Sequence, residues 1–324
     1  MRKDDEKLLE EIATLYYEKK YTQREIAQQL GLTIVKVHRL LEKALKKGIV
    51  EIRVKKKGDK FTDLENEIAT LYKLRGVRIV ESNVPFSMMA GECAEKVESI
   101  LKQQNISGKV IGIGWGRTIY NVLNSNYEWK IKFPSSVVVP LIGGVGTSEA
   151  PFQVNDLARK LAQIGECEYF PLNVPFLFEE EKRKNEMMKE RDIRKVLSLW
   201  ERLDIAIVGI GHVFNNSPLL KLSYFTKEDI IEIEGKGAVG DLCARFFQRN
   251  GMGCDLNVNK RLVSIELERY YHIPCVIAVA CGIYKALPVE AAIKGGYIDY
   301  LVTDEEVGEY LLKLANKKLL VKTH

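Results

Sequence analysis

Four glycine-bearing stretches stand where apolar runs of the chain end: Gly112-Ile-Gly-Trp-Gly-Arg-Thr118, Gly143-Gly-Val-Gly-Thr147, Gly209-Ile-Gly-His212 and Gly282. Glycine lets backbone N–H groups approach an anion, and a helix that follows adds the positive end of its dipole. A single glycine after a strand is usually only a turn. Four at corresponding ends of one sheet point to a pocket for a small phosphorylated or polyhydroxy ligand. Two nucleotide-binding chemistries are excluded, because no Gly-x₄-Gly-Lys-Ser/Thr occurs and the Gly112 loop lacks Gly-x-Gly-x-x-Gly spacing.

A second constellation, TQREIAQQLGLTIVKVHRLL from Thr22 to Leu41, has the makings of a DNA reader. Thr22 and Glu25 have capping-box spacing, so a helix is expected to start at Gln23. Ile26, Ala27 and Leu30 share one face, and Gly31 follows where a helix stop wants positive φ. Thr33 is the expected cap of a second helix that turns Val37, Leu40, Leu41, Ala44 and Leu45 inward. Thr33, Lys36, His38 and Arg39 then face outward, and with Gln23 they are the candidate DNA contacts. This is the layout of a helix-turn-helix, whose second helix enters the major groove.

Three features beside the motif favour DNA over a plain helical hairpin. An amphipathic stretch with Leu8, Leu9, Ile12, Leu15 and Tyr16 precedes it, and Gly48–Val54 alternates like the strand of a wing. Residues 1–57 hold 15 Lys and Arg against 9 Asp and Glu, a net +6. The whole chain carries +5, so the remainder carries −1, and the basic excess is confined to the candidate reader.

The elements that must position the glycine loops alternate along the rest of the chain. Strands are expected at VRIVES, KVIGIG, VVVPLIGG, ECEYFPL, DIAIVGIG, PCVIAVACG and IDYLVTD, with helices between them. Apolar strands separated by helices mean a parallel sheet covered on both faces, with ligands at the carboxyl ends of the strands. The expected organisation is a helix-turn-helix domain over 1–57, a linker helix over 58–75 and a ligand-binding, oligomerising domain over 76–324. Leu64, Ile68, Leu71 and Leu74 form a stripe on the linker helix that either packs on its own chain or pairs with a second copy.

Composition bounds the class. At 324 residues, 46% apolar and 29% charged, the chain is long enough for two domains. No apolar run approaches a membrane span, and the charged start MRKDDEKLLEE is no secretory signal. Six cysteines without a Cys-x-x-Cys pair and only four histidines argue against a metal site and fit a reducing cytoplasm.

GWGRT, PLIGGVG, DIAIVGIG, GAVGDLCARFF, AVACGIYKALPVEAAIKGG and LVTDEE follow the basic helix-turn-helix in that order. Together they resemble the SorC/DeoR-type sugar-binding transcriptional regulators of bacteria over nearly the whole chain. The resemblance implies a winged helix-turn-helix followed by a parallel-sheet α/β domain with the fold of glucosamine-6-phosphate deaminase, ribose-5-phosphate isomerase and the CoA transferases. It implies operator DNA as partner and a homodimer or homotetramer. It also implies a sugar or polyol phosphate as effector, with no cofactor and no catalytic residue. Carried over residue by residue, Gly116 and Thr118 match a phosphate-cradling turn and Gly143 and Gly144 a pair of glycines. Gln153 and Asn155 resemble polar effector contacts. Asp241 of GAVGD matches a carboxylate that grips sugar hydroxyls, and Lys285 a basic residue that reaches the ligand. Some branches place Lys or Arg before the paired glycines. Ile142 stands there in this chain, which excludes a Schiff base, and Arg117 is the candidate to compensate. His212 and Trp115 are neighbours of the pocket, Trp115 more as core than as a sugar platform.

Two plainer readings stand beside these. Asp241 would cap a helix over LCARFFQR, and Lys285 would be solvated. The alternative function is a sugar-phosphate isomerase or deaminase on the same fold, with Asp241 and Lys285 as its acid and base. The basic amino-terminal reader counts against it, since an isomerase has no need of one.

Overall fold

The computed structural model describes residues 8–9, 11–19, 21–46, 60–82, 84, 86–144, 153–213, 217, 219–220 and 224–322. Backbone contacts divide the chain into residues 1–59 and 60–324.

In the first unit, α1 (Thr14–Glu18) is wound in wide i→i+5 turns. α2 (Gln23–Gln29) opens on a complete capping box. Glu25 N donates to Thr22 Oγ1 at 3.3 Å, and Thr22 N donates to Glu25 Oε2 at 2.8 Å. Gly31 turns the chain at φ +63°, which a side chain would resist. Thr33 caps α3 (Ile34–Lys46), its hydroxyl accepting from Lys36 N at 3.3 Å. Ile12, Leu15, Ile26, Ala27, Val37 and Leu41 pack together between the helices. The expected wing, Gly48–Val54, and the basic run after it lie outside the described residues.

Among its described residues the second unit has ten strands: β1 (Gly76–Val80), β2 (Val110–Ile113), β3 (Val137–Pro140), β4 (Glu168–Tyr169), β5 (Ile205–Gly209), β6 (Gly211–His212), β7 (Ala238–Leu242), β8 (Arg245–Gln248), β9 (Cys275–Val279) and β10 (Tyr300–Asp304). Seven form one sheet in the order β1-β10-β9-β5-β2-β3-β4, every pair parallel. Alternate residues of its strands enter two cores. Ile111, Ile113, Ile205, Ile207, Ile277 and Val302 point to one face, and Val139, Ala206, Val208, Ala278 and Leu301 to the other. Burial on both faces is why these stretches read as unbroken apolar runs. The helices of this unit are α4 (Thr62–Tyr72), α5 (Phe86–Lys102), α6 (Arg117–Leu123), α7 (Val154–Gly165), α8 (Glu181–Met187), α9 (Arg191–Trp200), α10 (Lys227–Gly235), α11 (Leu267–Tyr270), α12 (Ala286–Lys294) and α13 (Glu305–Lys322).

Two expectations change, and for α4 the structure shows packing of its stripe on the chain's own core. Ile68 is fully buried in the chain's own core, Leu64 and Leu74 pack against that core, Glu65 accepts from Ile79 N at 2.7 Å, and Tyr72 donates to Leu311 O. ECEYFPL contributes only the two-residue edge strand β4. LCARFFQR is not a helix capped by Asp241. It is the tip and second strand of a hairpin, β7–β8, which with β6 makes a separate antiparallel sheet. The hairpin turns through Cys243 and Ala244, both at positive φ (49° and 65°). That is the type I′ geometry glycine and asparagine ordinarily supply. Here it is held from outside: Ala244 N donates to Asp241 Oδ2 at 3.0 Å, and Ser264 Oγ donates to Cys243 O at 2.5 Å.

Candidate functional site

A cavity of about 440 Å³ opens at the carboxyl ends of β2, β5, β9 and β10, where the β6–β7 pair folds over them. This is the edge at which ligands meet parallel sheets. Of the expected effector residues, Gly116, Arg117, Thr118, Asp241 and Lys285 line it, and His212 and Trp115 join them. They come from separate strand-end segments, so the fold alone brings them together.

Each is placed by its element. β2 runs out into Gly116, which precedes α6 with φ +120°, a conformation open to glycine, and a β-carbon there would meet only open space. Arg117 and Thr118 form the first turn of α6, with Arg117 exposed. β5 ends in Gly209, and the chain continues through Ile210 into β6, where Gly211 is the register partner of Asp241. Beyond the end of β9 come Cys281 and Gly282, and the Gly282 N–H donates to Asp304 Oδ2 at 2.5 Å. Asp304 also accepts from Val307 N at 3.0 Å and so caps α13. That anchor sets the turn carrying Tyr284 and Lys285.

Asp241 is buried, and Lys285 donates from Nζ to Ile210 O at 2.5 Å. Loss of water pushes the Asp241 carboxyl up to about 6, held back by the Ala244 N–H and by the Lys285 charge. Loss of water likewise brings Lys285 down to about 8, held back by Asp241. Near neutral pH the pair therefore presents a carboxylate that accepts hydroxyl hydrogens and an ammonium that donates. Tyr284 meets His212 edge to face at 5.1 Å between ring centroids. The Trp115 ring stacks on Phe176 at 6.4 Å and is partly buried in the core, in keeping with its expected role there.

The structure does not bring Gly143, Gly144, Gln153 or Asn155 to the cavity wall. The N–H groups of the two glycines are spent on the chain itself, Gly143 donating to Val263 O at 2.9 Å and Gly144 to Val174 O at 2.8 Å. A β-carbon at Gly143 would lie 2.7 Å from the carbonyl of Pro175, so this glycine serves a close backbone approach. Gln153 stands at the start of α7. Asn155 ties α7 to the segment after β4, accepting from Leu172 N at 2.9 Å and donating to Leu172 O at 3.3 Å. Residues 145–152, which complete that glycine loop, lie outside the described residues. Ser82, Ser217, Tyr284, Asp304 and Glu306 line the cavity and were not singled out from the sequence. Only Tyr284, beside Lys285 after a strand-end glycine, carried a usable signal.

In the first unit Lys36, His38 and Arg39 are exposed along α3, Gln23 is half-buried at the start of α2, and Thr33 is exposed with its hydroxyl engaged as a cap. No helix among the described residues is long and apolar enough to cross a membrane, and no group of side chains among them has the makings of a metal site.

Residues 57–313 match the family described as "Putative sugar-binding domain", and residues 8–47 match the one described as "Sigma-70, region 4". The sorbitol operon regulator of Klebsiella pneumoniae is 29% identical over 96% of this chain and 99% of its own length. The deoxyribonucleoside regulator of Bacillus subtilis is 29% identical over 96% of this chain and 99% of its own. The crystal structure of the full-length sorbitol operon regulator SorC from Klebsiella pneumoniae matches with a TM-score of 0.72 at 29% identity, covering 95% of this chain and 99% of that one.

Proposed function

The chain belongs to the sugar-binding-domain family of SorC/DeoR-type transcriptional regulators, and from that premise we propose that a sugar or polyol, in its phosphorylated form, binds the 440 Å³ cavity and sets operator affinity. The protein is a DNA-binding regulator of a carbohydrate operon rather than an enzyme, its relatives being regulators of that kind. The isomerase or deaminase alternative finds no counterpart among them.

The observation that carries the ligand reading is the Asp241–Lys285 pair at the strand ends, in a chain whose other unit is a helix-turn-helix. A buried carboxylate facing a half-buried ammonium is costly to hold without a use, and together they match the donors and acceptors of a hydroxylated ligand. Arg117 adds an exposed positive charge on the same wall, which suits a phosphate. The regulator works in the cytoplasm as a homodimer or homotetramer, since a pseudo-palindromic operator calls for two copies of α3 about one helical turn apart. A ligand switches such an assembly only by binding one of its arrangements more tightly than another.

Thermal-shift screening of sugars, polyols and their phosphates tests the proposal, followed by operator binding with and without each hit. Asp241→Ala removes the response and leaves ligand-free operator binding intact. A hit that shifts this variant as much as the wild type places the effector elsewhere.

A further inference from the structure

The first turn of α3 carries two exposed β-branched apolar residues, Ile34 at 49% and Val35 at 64% exposure, and neither belongs to the core of its unit. Folding gives no reason for them. Isoleucine and valine are weaker helix formers than alanine or lysine, and an apolar side chain does nothing for the dipole at a helix start. Exposed on a helix, they gain nothing from burial. The inward positions of α3 are filled by Val37, Leu41 and Ala44.

Val35 stands three and four residues before His38 and Arg39, so all three share a face, and Lys36 follows it directly. It is an apolar spot on the face whose other members are basic or polar. A face so charged suits a polyanion better than an apolar protein surface. The first residues of a reading helix lie closest to the base edges of the major groove. The apolar feature exposed on those edges is the thymine 5-methyl group.

We infer that Val35, with Ile34 beside it, reads the 5-methyl group of a thymine in each operator half-site. The inference rests on α3 being the reading helix and adds what that helix selects. Lys36 and Arg39 supply phosphate and base hydrogen bonds, while Val35 closes over the methyl and excludes water from it. Burial of one methyl against an aliphatic side chain corresponds to about a fourfold gain in affinity. That is enough to discriminate thymine from cytosine or uracil at that position.

The test uses the full-length protein and the duplexes it selects from a random-sequence pool. Each thymine of the selected half-site is replaced in turn by uracil, which removes the methyl and leaves pairing intact. Wild-type protein loses about fourfold in affinity at one thymine position, and Val35→Ala loses nothing further there. Alanine at this exposed helical site favours the helix, so the variant folds. Uracil tolerated at every position by the wild type, or penalised equally in Val35→Ala, overturns the inference. Lys36→Ala and Arg39→Ala in the same assay separate the two levels. If both bind as wild type does, the reading helix itself is misassigned. If they weaken binding while uracil does not, the helix reads DNA and Val35 does not read a methyl.

Discussion

Gly211 and Asp241 are register partners across β6 and β7, and a β-carbon on Gly211 would overlap the Asp241 Oδ1. The carboxylate thus lies against a bare backbone, with Oδ2 taken by Ala244 N. Asp241 is held between a glycine and a hairpin tip whose two residues are at positive φ. The strain of that tip, of order 1–3 kcal/mol per residue, is sustained where the ligand is expected.

Gly211→Ala is therefore expected to displace the Asp241 side chain. Overpacking of this kind costs about 1–3 kcal/mol, so the melting temperature of the second unit falls. Effector response is lost while operator binding without ligand persists. Calorimetric unfolding beside ligand titration checks both parts, and an alanine variant that still responds would show that the carboxylate is not fixed by this contact.

The Asp241–Lys285 pair predicts a pH profile. Asp241 is pushed up to about 6, so its carboxylate becomes available as pH rises through that value. Lys285 is brought down to about 8, so its proton is lost above it. Effector affinity should rise through about pH 6, hold, and decline above about pH 8, the two apparent values belonging to the pair. The stability signs are the opposite of a favourable ion pair. The raised Asp241 contributes stability that is full below its unfolded pKa and lost as pH rises through about 6. The lowered Lys285 contributes stability that is full above its unfolded pKa and lost as pH falls through about 8. Between the two the charges cost stability, and a double variant, Asp241→Asn with Lys285→Met, should be more stable there and unresponsive to effector. A double variant less stable than wild type at pH 7 contradicts this account.

DNA binding should depend on salt and on α3. The net +6 of residues 1–57 concentrates the positive charge, and each phosphate contact contributes a slope of roughly −0.9 to log affinity against log salt. Arg39→Ala should cost roughly 1–3 kcal/mol if the guanidinium reads a base. An unchanged affinity across salt would put Arg39 off the interface.

The parallel sheet was legible because runs such as IAIVG (Ile205–Gly209) are apolar at every position, as strands buried on both faces must be. The capping box and Gly31 marked α2 and its end for equally local reasons. The β7–β8 hairpin was not legible, since Cys243 and Ala244 are poor choices for positive φ and are held there by Asp241 and Ser264 from outside the turn. Gly143 and Gly144 misled for a related reason. A glycine needed for close backbone approach, as Gly143 is, or one whose N–H is spent on the chain itself, is the same letter as one that cradles an anion, and only the partners, Val263 O and Val174 O, tell them apart. The Leu64–Leu74 stripe has the spacing of a dimer seam, but an amphipathic helix packs by the same spacing on its own sheet.

The placement of Lys285 changes what each cation is expected to do. Its ammonium donates to Ile210 O and its charge is opposed by Asp241, so little of that charge is left to favour a phosphate. Arg117 is exposed on the same cavity wall, one residue after Gly116. The guanidinium meets phosphate oxygens in a two-pronged geometry that an ammonium lacks. Arg117→Ala should therefore weaken the phosphorylated effector by an amount typical of a hydrogen bond to a charged group, roughly 1.5–3 kcal/mol, and leave the unphosphorylated parent nearly unaffected. Lys285→Ala should weaken both forms alike, because it acts at the hydroxylated end beside Asp241. Titration calorimetry of each variant with a sugar phosphate and its parent sugar decides between them. If Lys285→Ala discriminates the two ligands and Arg117→Ala does not, the phosphate lies at the other end of the cavity.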